Sequence, residues 1–189
     1  SSNKEALEEL EKIENNFSKV MQEKMQNMWA SKLGLEKFDF ELFDELINIM
    51  IDTKVDYTIF FRELSNIPHN LSILEKSFYG KQQNENIKLR WNSWLEKWKV
   101  KINVNDEESK QKLSNQMKLT NPKYSLREWH LVWAYKEAEK GNYEPVQELQ
   151  DVMTKPYEEQ TKEIEDKFYI KKPDNFFGIA GISHVSCSS

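Results

Sequence analysis

Asp56, Arg62 and Glu63 stand among aromatic residues and form a dense mixture of charge and apolar surface. On a helix, Arg62 lies within reach of positions 56 to 58, so it could pair with a carboxylate and tie the structure together. An arginine can also contact a phosphate, but no other phosphate-binding pattern stands near it in the sequence. We predict a structural ion pair here, with a phosphate contact as the alternative.

Sequence motifs of the common enzyme classes are absent from the chain. It has no glycine-rich phosphate loop, no HExxH, no paired cysteines and no nucleophile elbow. His69, His130 and His184 lie in three different segments. We predict that each is an ordinary surface or helix residue rather than a metal ligand or a catalytic base.

Trp91, Trp94 and Trp98 recur at spacings of three and four, so they share one helix face. Three aromatic rings in a row can form a platform for a ligand. The more common use of such a row is core packing, which we predict here. A third interpretation is a face that docks on another domain and is bare in isolation.

Cys187 is the single cysteine and stands in the polar sequence that ends the chain. One cysteine cannot form an internal disulfide, and it excludes a cysteine-based structural zinc site. On a polar tail its thiol should be accessible to a partner thiol. An incidental terminal cysteine is the alternative, and the residues alone do not decide between the two.

The composition favours a helical protein with one core. The chain has 189 residues, of which 38% are hydrophobic and 12% aromatic, with only 5 Gly and 5 Pro. So many aromatic residues argue against disorder, and so few turn residues argue against an all-β fold. The net charge is −5, with both signs interspersed, so we expect no nucleic-acid partner. No apolar run approaches the roughly 20 residues that span a bilayer, so we expect no membrane partner.

Hydrophobic periodicity predicts the helices that must position these residues. Apolar residues at spacings of three and four run from Leu7 to Met28, and Gly34 follows where a helix would end. Asp39 and Asp56 are predicted to cap the next two helices. We find no internal repeat and no strand pattern.

The second half of the chain gives weaker signals. The stretch Asn103 to Lys112 is polar and precedes a weaker predicted helix around Leu113 and Met117. Pro122 is predicted to open a helix. The segment from Tyr143 to Met153 is predicted to be the last clear helix, with irregular structure from about Phe168. The fold class is therefore all-α, in one domain with an extended tail.

A series of short motifs resembles the selenoprotein O (YdiU) family of protein adenylyltransferases, in the family's order and across nearly the whole chain. The motifs are Lys32-Leu33-Gly34-Leu35, Asp56-Tyr57-Thr58 with Phe61-Arg62, Trp91-Asn92-Ser93-Trp94-Leu95, Asn121-Pro122-Lys123-Tyr124, Ala138-Glu139-Lys140-Gly141-Asn142-Tyr143, Lys155-Pro156-Tyr157 and Lys172-Pro173-Asp174. The end of the chain, Val185 to Ser189, also resembles the end of family members. Two departures are Phe176, where a tryptophan often stands, and a first helix rich in Glu and Asn.

The resemblance implies the carboxyl-terminal helical region of a protein-kinase-like (pseudokinase) fold. It implies residues 1–167 as that region and residues 168–189 as an extended tail. The family is described as transferring AMP from ATP to hydroxyl side chains of proteins, with Mg²⁺ on the triphosphate. Its nucleotide-binding and catalytic motifs lie upstream of the segment seen here. The resemblance therefore transfers no catalytic, cofactor-binding or metal residue to this chain, and it implies ATP and Mg²⁺ only for a full-length member.

The same resemblance implies the partners and a role for the tail. The partners are an upstream kinase-like catalytic core and protein substrates. Cys187 is similar to a redox-active terminal cysteine that can pair with a cysteine of that core and regulate access to its site. The implied location is mitochondrial for a eukaryotic member and cytoplasmic for a bacterial one.

The sequence is also compatible with two other hypotheses about function. A free-standing helical interaction protein, descended from the family without catalysis, is the first alternative, although a chain that begins Ser-Ser favours a fragment. An independent helical enzyme that uses Asp56, Arg62 or Glu63 is the second.

Overall fold

The computed structural model describes residues 3–80 and 84–177, and its regular elements are all helices over those ranges. The all-α prediction is confirmed. The α-helices are α1 (Asn3–Leu33), α2 (Phe40–Thr53), α3 (Tyr57–Leu64), α4 (Glu85–Ile102), α5 (Glu107–Thr120), α6 (Glu128–Glu139), α7 (Glu144–Thr154) and α8 (Lys162–Phe168). Two 3₁₀ helices span Leu71–Ser77 and Asp174–Phe176. One isolated antiparallel bridge joins Val55 to Phe78.

The predicted helix boundaries at Gly34, Asp39 and Asp56 are confirmed. Asp39 and Asp56 each cap a helix by accepting a bond from a backbone N–H three residues later. Gly34 follows α1 with a φ of +67°, a conformation that side chains disfavour. A Cβ at Gly34 would also lie 2.7 Å from the Met117 sulfur, so a larger residue here would force the Met117 side chain of α5 to move.

The larger of two apolar cores is built around the tryptophan row of α4. Residues of α2, α3 and the first 3₁₀ helix surround it, together with Leu33 of α1 and Met117 of α5. Phe60 and Phe78 pack on Trp91, at ring centroid distances of 5.2 and 5.1 Å. This core therefore holds the amino-terminal elements together.

A smaller core joins the carboxyl-terminal helices. Leu149 and Val152 of α7 pack with Ala134 of α6 and with Phe168 and Tyr169 at the end of α8. Ile59 of α3 belongs to this core, whereas Phe60, Phe61 and Leu64 belong to the larger one. Helix α3 is therefore the element that both cores share.

Three predictions for the second half need correction. The helix predicted around Leu113 and Met117 is present as α5, but it begins earlier, at Glu107 within the polar stretch, because Asp106 caps it there. Pro122 opens no helix: the backbone N–H groups of Lys123 and Tyr124 both donate to the Pro156 carbonyl, which holds this stretch extended.

The third correction concerns α8, because α7 is not the last helix. Thr161 accepts a bond from the Ile164 N–H and caps this short helix. Its seven residues give too few apolar positions for the periodicity to stand out in the sequence.

Helix α1 projects from the rest of the fold. Its 31 residues extend for about 46 Å. Residues 4–25 are all exposed, and only the last two turns contact other elements. No described helix is both long enough and apolar enough to cross a membrane.

Candidate functional site

Asp56 is the centre of a buried polar contact at the start of α3. Its carboxylate caps the helix through the Ile59 N–H at 3.1 Å. Arg127 donates to one oxygen at 2.7 Å, and the Tyr79 hydroxyl donates to the other at 3.0 Å. Burial raises the pKa of Tyr79 to about 12, and the Asp56 charge adds to this effect. These bonds fix the segment before α6 to the start of α3.

Arg62 is buried and joins α3 to two other segments, the end of α5 and the stretch before α8. Its guanidinium donates to the backbone carbonyls of Lys118 and Asn121 at 3.2 and 3.1 Å, and to Glu159 at 2.6 Å. The prediction of a structural ion pair is confirmed, but its partner lies 97 positions away rather than at positions 56 to 58.

Lys123 completes the arrangement around Glu159. Its ammonium donates to Glu159 and, at 3.0 Å, to Glu165. Burial by itself raises the pKa of Glu159, but hydrogen bonds from Lys123 and Arg62 outweigh that effect and lower it to about 2. Arg62 and Lys123 are thus both neutralised by carboxylates of the chain. The arrangement favours the structural tie over the phosphate contact.

Glu63, on the other side of α3, is bonded in the same manner. The Tyr169 hydroxyl donates to it at 2.6 Å, and Lys76 pairs with it at 2.5 Å. Burial raises the pKa of Tyr169, and the neighbouring Glu63 charge raises it further. Asp56, Arg62 and Glu63 therefore fasten α3 to its surroundings.

The tryptophan row is core and not a ligand platform. The side chains of Trp91, Trp94 and Trp98 are fully buried. Their indole N–H groups donate to the Thr53 hydroxyl and to the carbonyls of Leu42 and Leu33, at 2.9, 2.9 and 2.7 Å. The prediction of core packing is confirmed.

The histidines do not converge. His69 is exposed, with its Nε2 3.2 Å from the Lys110 ammonium. His130 is buried between the rings of Trp129 and Phe168. His184 and the predicted redox residue Cys187 both lie outside the described residues.

His130 is held in its neutral form. Burial, and then the positive charge of Arg127, lower its pKa to about 4. Neither ring nitrogen has hydrogen-bond geometry with any described residue, although the nearby backbone at Lys167 favours the charged form. Lys167 itself also disfavours the charged ring.

We expect His130 to make the fold less stable in mild acid. The unfolded chain binds this proton near pH 6.5 and the folded chain only near 4, so stability is lost as the pH falls between those values. The expected loss from pH 7 to pH 5 is about 2 kcal/mol. Urea unfolding at both pH values should show this loss of stability in the wild type and in His69→Phe but not in His130→Phe. Equal pH dependence in all three proteins would contradict the assignment.

The described residues do not fit a nucleotide–metal site. Within residues 3–80 and 84–177, no group of three or more His, Cys, Asp or Glu residues is placed to hold a metal ion. The buried cations Arg62 and Lys123 already pair with Glu159. We derive no step of AMP transfer from these residues.

The feature most suited to a function is the outer face of α1, which we call the α1 stripe. Eight apolar side chains on this helix are 39–64% exposed: Leu7, Leu10, Ile13, Phe17, Val20, Met21, Met25 and Met28. Exposed apolar surface of this extent marks an interaction site. The sequence displayed the spacing of the stripe, but spacing does not reveal that no other element of the described ranges covers it.

Comparison with known proteins agrees with the resemblance. The sequence model described as "Protein adenylyltransferase SelO" matches residues 4–154. The chain belongs to the SelO family. The α1 stripe lies inside the SelO match, as do α2 to α7.

Curated SelO relatives are similar along most of the chain. "Protein nucleotidyltransferase YdiU" of Aromatoleum aromaticum is 32% identical over 179 residues, which cover 92% of this chain and 34% of the relative. The protein of the same name from Flavobacterium johnsoniae is 34% identical over 195 residues, which cover 96% and 36%. The chain thus spans about a third of the length of the curated relatives it matches.

Proposed function

We propose that this chain is the carboxyl-terminal part of a protein adenylyltransferase and that the α1 stripe packs it against the catalytic part. The observation that carries the proposal is the exposure of the stripe, in a chain that spans about a third of its relatives' length. A helix face of eight apolar side chains resembles one side of a helix-packing interface.

The energetics of the stripe support a docking role. Complete burial of a Leu, Ile, Phe or Met side chain contributes about 1.5–3 kcal/mol. The stripe residues are already about half covered by their own helix, so a partner would add roughly 1 kcal/mol for each. Association of two separate molecules must offset about 4–15 kcal/mol of lost translational and rotational freedom. A partner in the same polypeptide loses much less of this freedom when it docks. The stripe is therefore best suited to a partner in the same polypeptide.

The catalytic part, in this proposal, has a kinase-like fold and transfers AMP from ATP to hydroxyl groups of protein substrates. ATP and Mg²⁺ bind there, as membership of an adenylyltransferase family implies. Residues 1–167 supply the docking region and residues 168–189 supply the tail. Cys187 of that tail is proposed to form a regulatory disulfide with a cysteine of the catalytic part, with a cellular disulfide as the oxidant.

Label transfer from α-labelled ATP tests this proposal. We expect the polypeptide extended upstream to label acceptor proteins in the presence of Mg²⁺, and the 189-residue chain alone to transfer nothing. Reductant and Cys187→Ala should change the rate for the extended protein in the same direction. Transfer by the chain alone would instead place the active site among these helices. Absence of transfer from both proteins would favour the alternative, a free-standing helical interaction protein.

A further inference from the structure

Lys32 lies where the α1 stripe meets the rest of the fold. It follows Met28 by four residues and Met25 by seven, so it continues the same helix face. Its side chain folds against α3, and the residue is only 7% exposed. The ammonium lies 5.2 Å from the ring centroid of Tyr57 and 4.8 Å from that of Phe61.

This ammonium has no counter-charge among residues 3–80 and 84–177. No described carboxylate pairs with Lys32, whereas the other buried lysine and arginine, Lys123 and Arg62, each bond to Glu159. A buried charge without a partner is destabilising, and cation–π contacts with two rings offset only part of that cost. Burial lowers the pKa of Lys32 for the same reason. The chain therefore holds a desolvated cation at one end of an uncovered apolar face.

We propose that the surface that covers the α1 stripe places an Asp or Glu carboxylate against Lys32. The inference rests on the proposed function, and it adds the chemistry of the partner surface. That surface carries a row of apolar side chains opposite the stripe and, at one end of the row, a single carboxylate. The occupant is the catalytic part of the same polypeptide. The Tyr57 ring, 43% exposed, forms one wall of this contact.

The charge at the contact argues for a single carboxylate rather than a polyanion. Within the described part of the chain, Lys32 is the only cation over the Tyr57 and Phe61 rings. Phosphate sites use several donors, often the bidentate fork of an arginine, and Arg62 is already bonded to Glu159. One ammonium between aromatic rings matches one carboxylate.

Binding of the 189-residue chain to the catalytic part, supplied as a separate polypeptide, tests the inference. The variant is Lys32→Met, which keeps the length and apolar character of the side chain. The matched control is Lys19→Met, because Lys19 lies about 200° around the helix from Phe17 and so away from the stripe. Calorimetry gives the Kd at low and high salt, and thermal unfolding confirms that each variant is folded.

We expect Lys32→Met to weaken binding at least tenfold, because the partner carboxylate loses its counter-charge, and Lys19→Met to leave it unchanged. Salt should weaken the wild type more than Lys32→Met. The pKa of Lys32, followed by NMR of its side chain, should rise on binding. Equal affinity for Lys32→Met and the wild type would overturn the carboxylate contact and leave the docking proposal intact.

Two further outcomes separate the inference from the proposed function. Failure of the wild-type chain to bind the catalytic part, together with rapid amide exchange of α1 in the polypeptide extended upstream, would overturn the docking proposal and with it the occupant named here. Sedimentation of the 189-residue chain alone as a dimer that Lys32→Met disrupts would overturn the occupant in favour of a second copy.

Discussion

Phe17→Asp is expected to weaken binding to the catalytic part at least 100-fold and to leave the unfolding of the isolated chain unchanged. Phe17 is central in the α1 stripe and is 64% exposed, so the free chain loses little packing with it. In the complex the substitution removes an aromatic contact and buries an unpaired carboxylate, which is costly. Calorimetric titration measures the Kd, and thermal unfolding by circular dichroism measures the stability.

Asn15→Asp is the matched control for this substitution. It adds the same charge to the same exposed helix, about 200° around the axis from Phe17 and away from the stripe. We expect no more than a twofold change in Kd. Equal losses for the two variants would mean that the charge of α1, and not its apolar face, controls association.

Asp56→Ala is expected to lower the free energy of unfolding by about 3–5 kcal/mol. The substitution removes the cap of α3 and leaves Arg127 and the Tyr79 hydroxyl without their acceptor. Because α3 belongs to both cores, its loosening affects the whole fold. Urea denaturation measures the change.

Asp52→Ala provides the comparison, because Asp52 forms an exposed ion pair with Arg90 at 2.6 Å. Exposed pairs contribute about 0–1 kcal/mol, so this variant should unfold close to the wild type. If the two alanine variants were equally destabilised, the contribution of Asp56 to the free energy of unfolding would not come from its burial.

Local rules were sufficient for the elements whose ends are set by single residues. Asp39, Asp56 and Gly34 sit at helix ends because the side-chain acceptor or the positive φ is required within a few residues of each. The tryptophan row was also predictable, since three rings at helical spacing need a core to cover them.

Contacts between distant segments could not be predicted from the sequence. The Arg62 partner is Glu159, and nothing near either residue indicates the other. The extended stretch after Asn121 depends on the Pro156 carbonyl, which overrides the helix-opening tendency of Pro122. Both errors came from applying a local rule where a tertiary contact decides the conformation.

The exposure of α1 is the clearest case of what periodicity omits. An apolar stripe predicts a partner surface, but it does not say whether that surface is within the same chain. The three-dimensional structure is needed to see that residues 4–25 are exposed and that the buried residues of α1 are confined to its last turns. The sequence also gave no sign that Lys32 contacts two aromatic rings and no described carboxylate, because those contacts are set by the fold.

Amide hydrogen exchange along α1 tests the docking claim most directly. In the 189-residue chain, the amides of residues 4–25 should exchange rapidly, because this stretch of helix is exposed and no described element packs on it. In the polypeptide extended upstream, the same amides should be protected to the level of the tryptophan helix α4. Rapid exchange of α1 in both proteins would contradict the account, since it would mean that the stripe stays uncovered when the catalytic part is present.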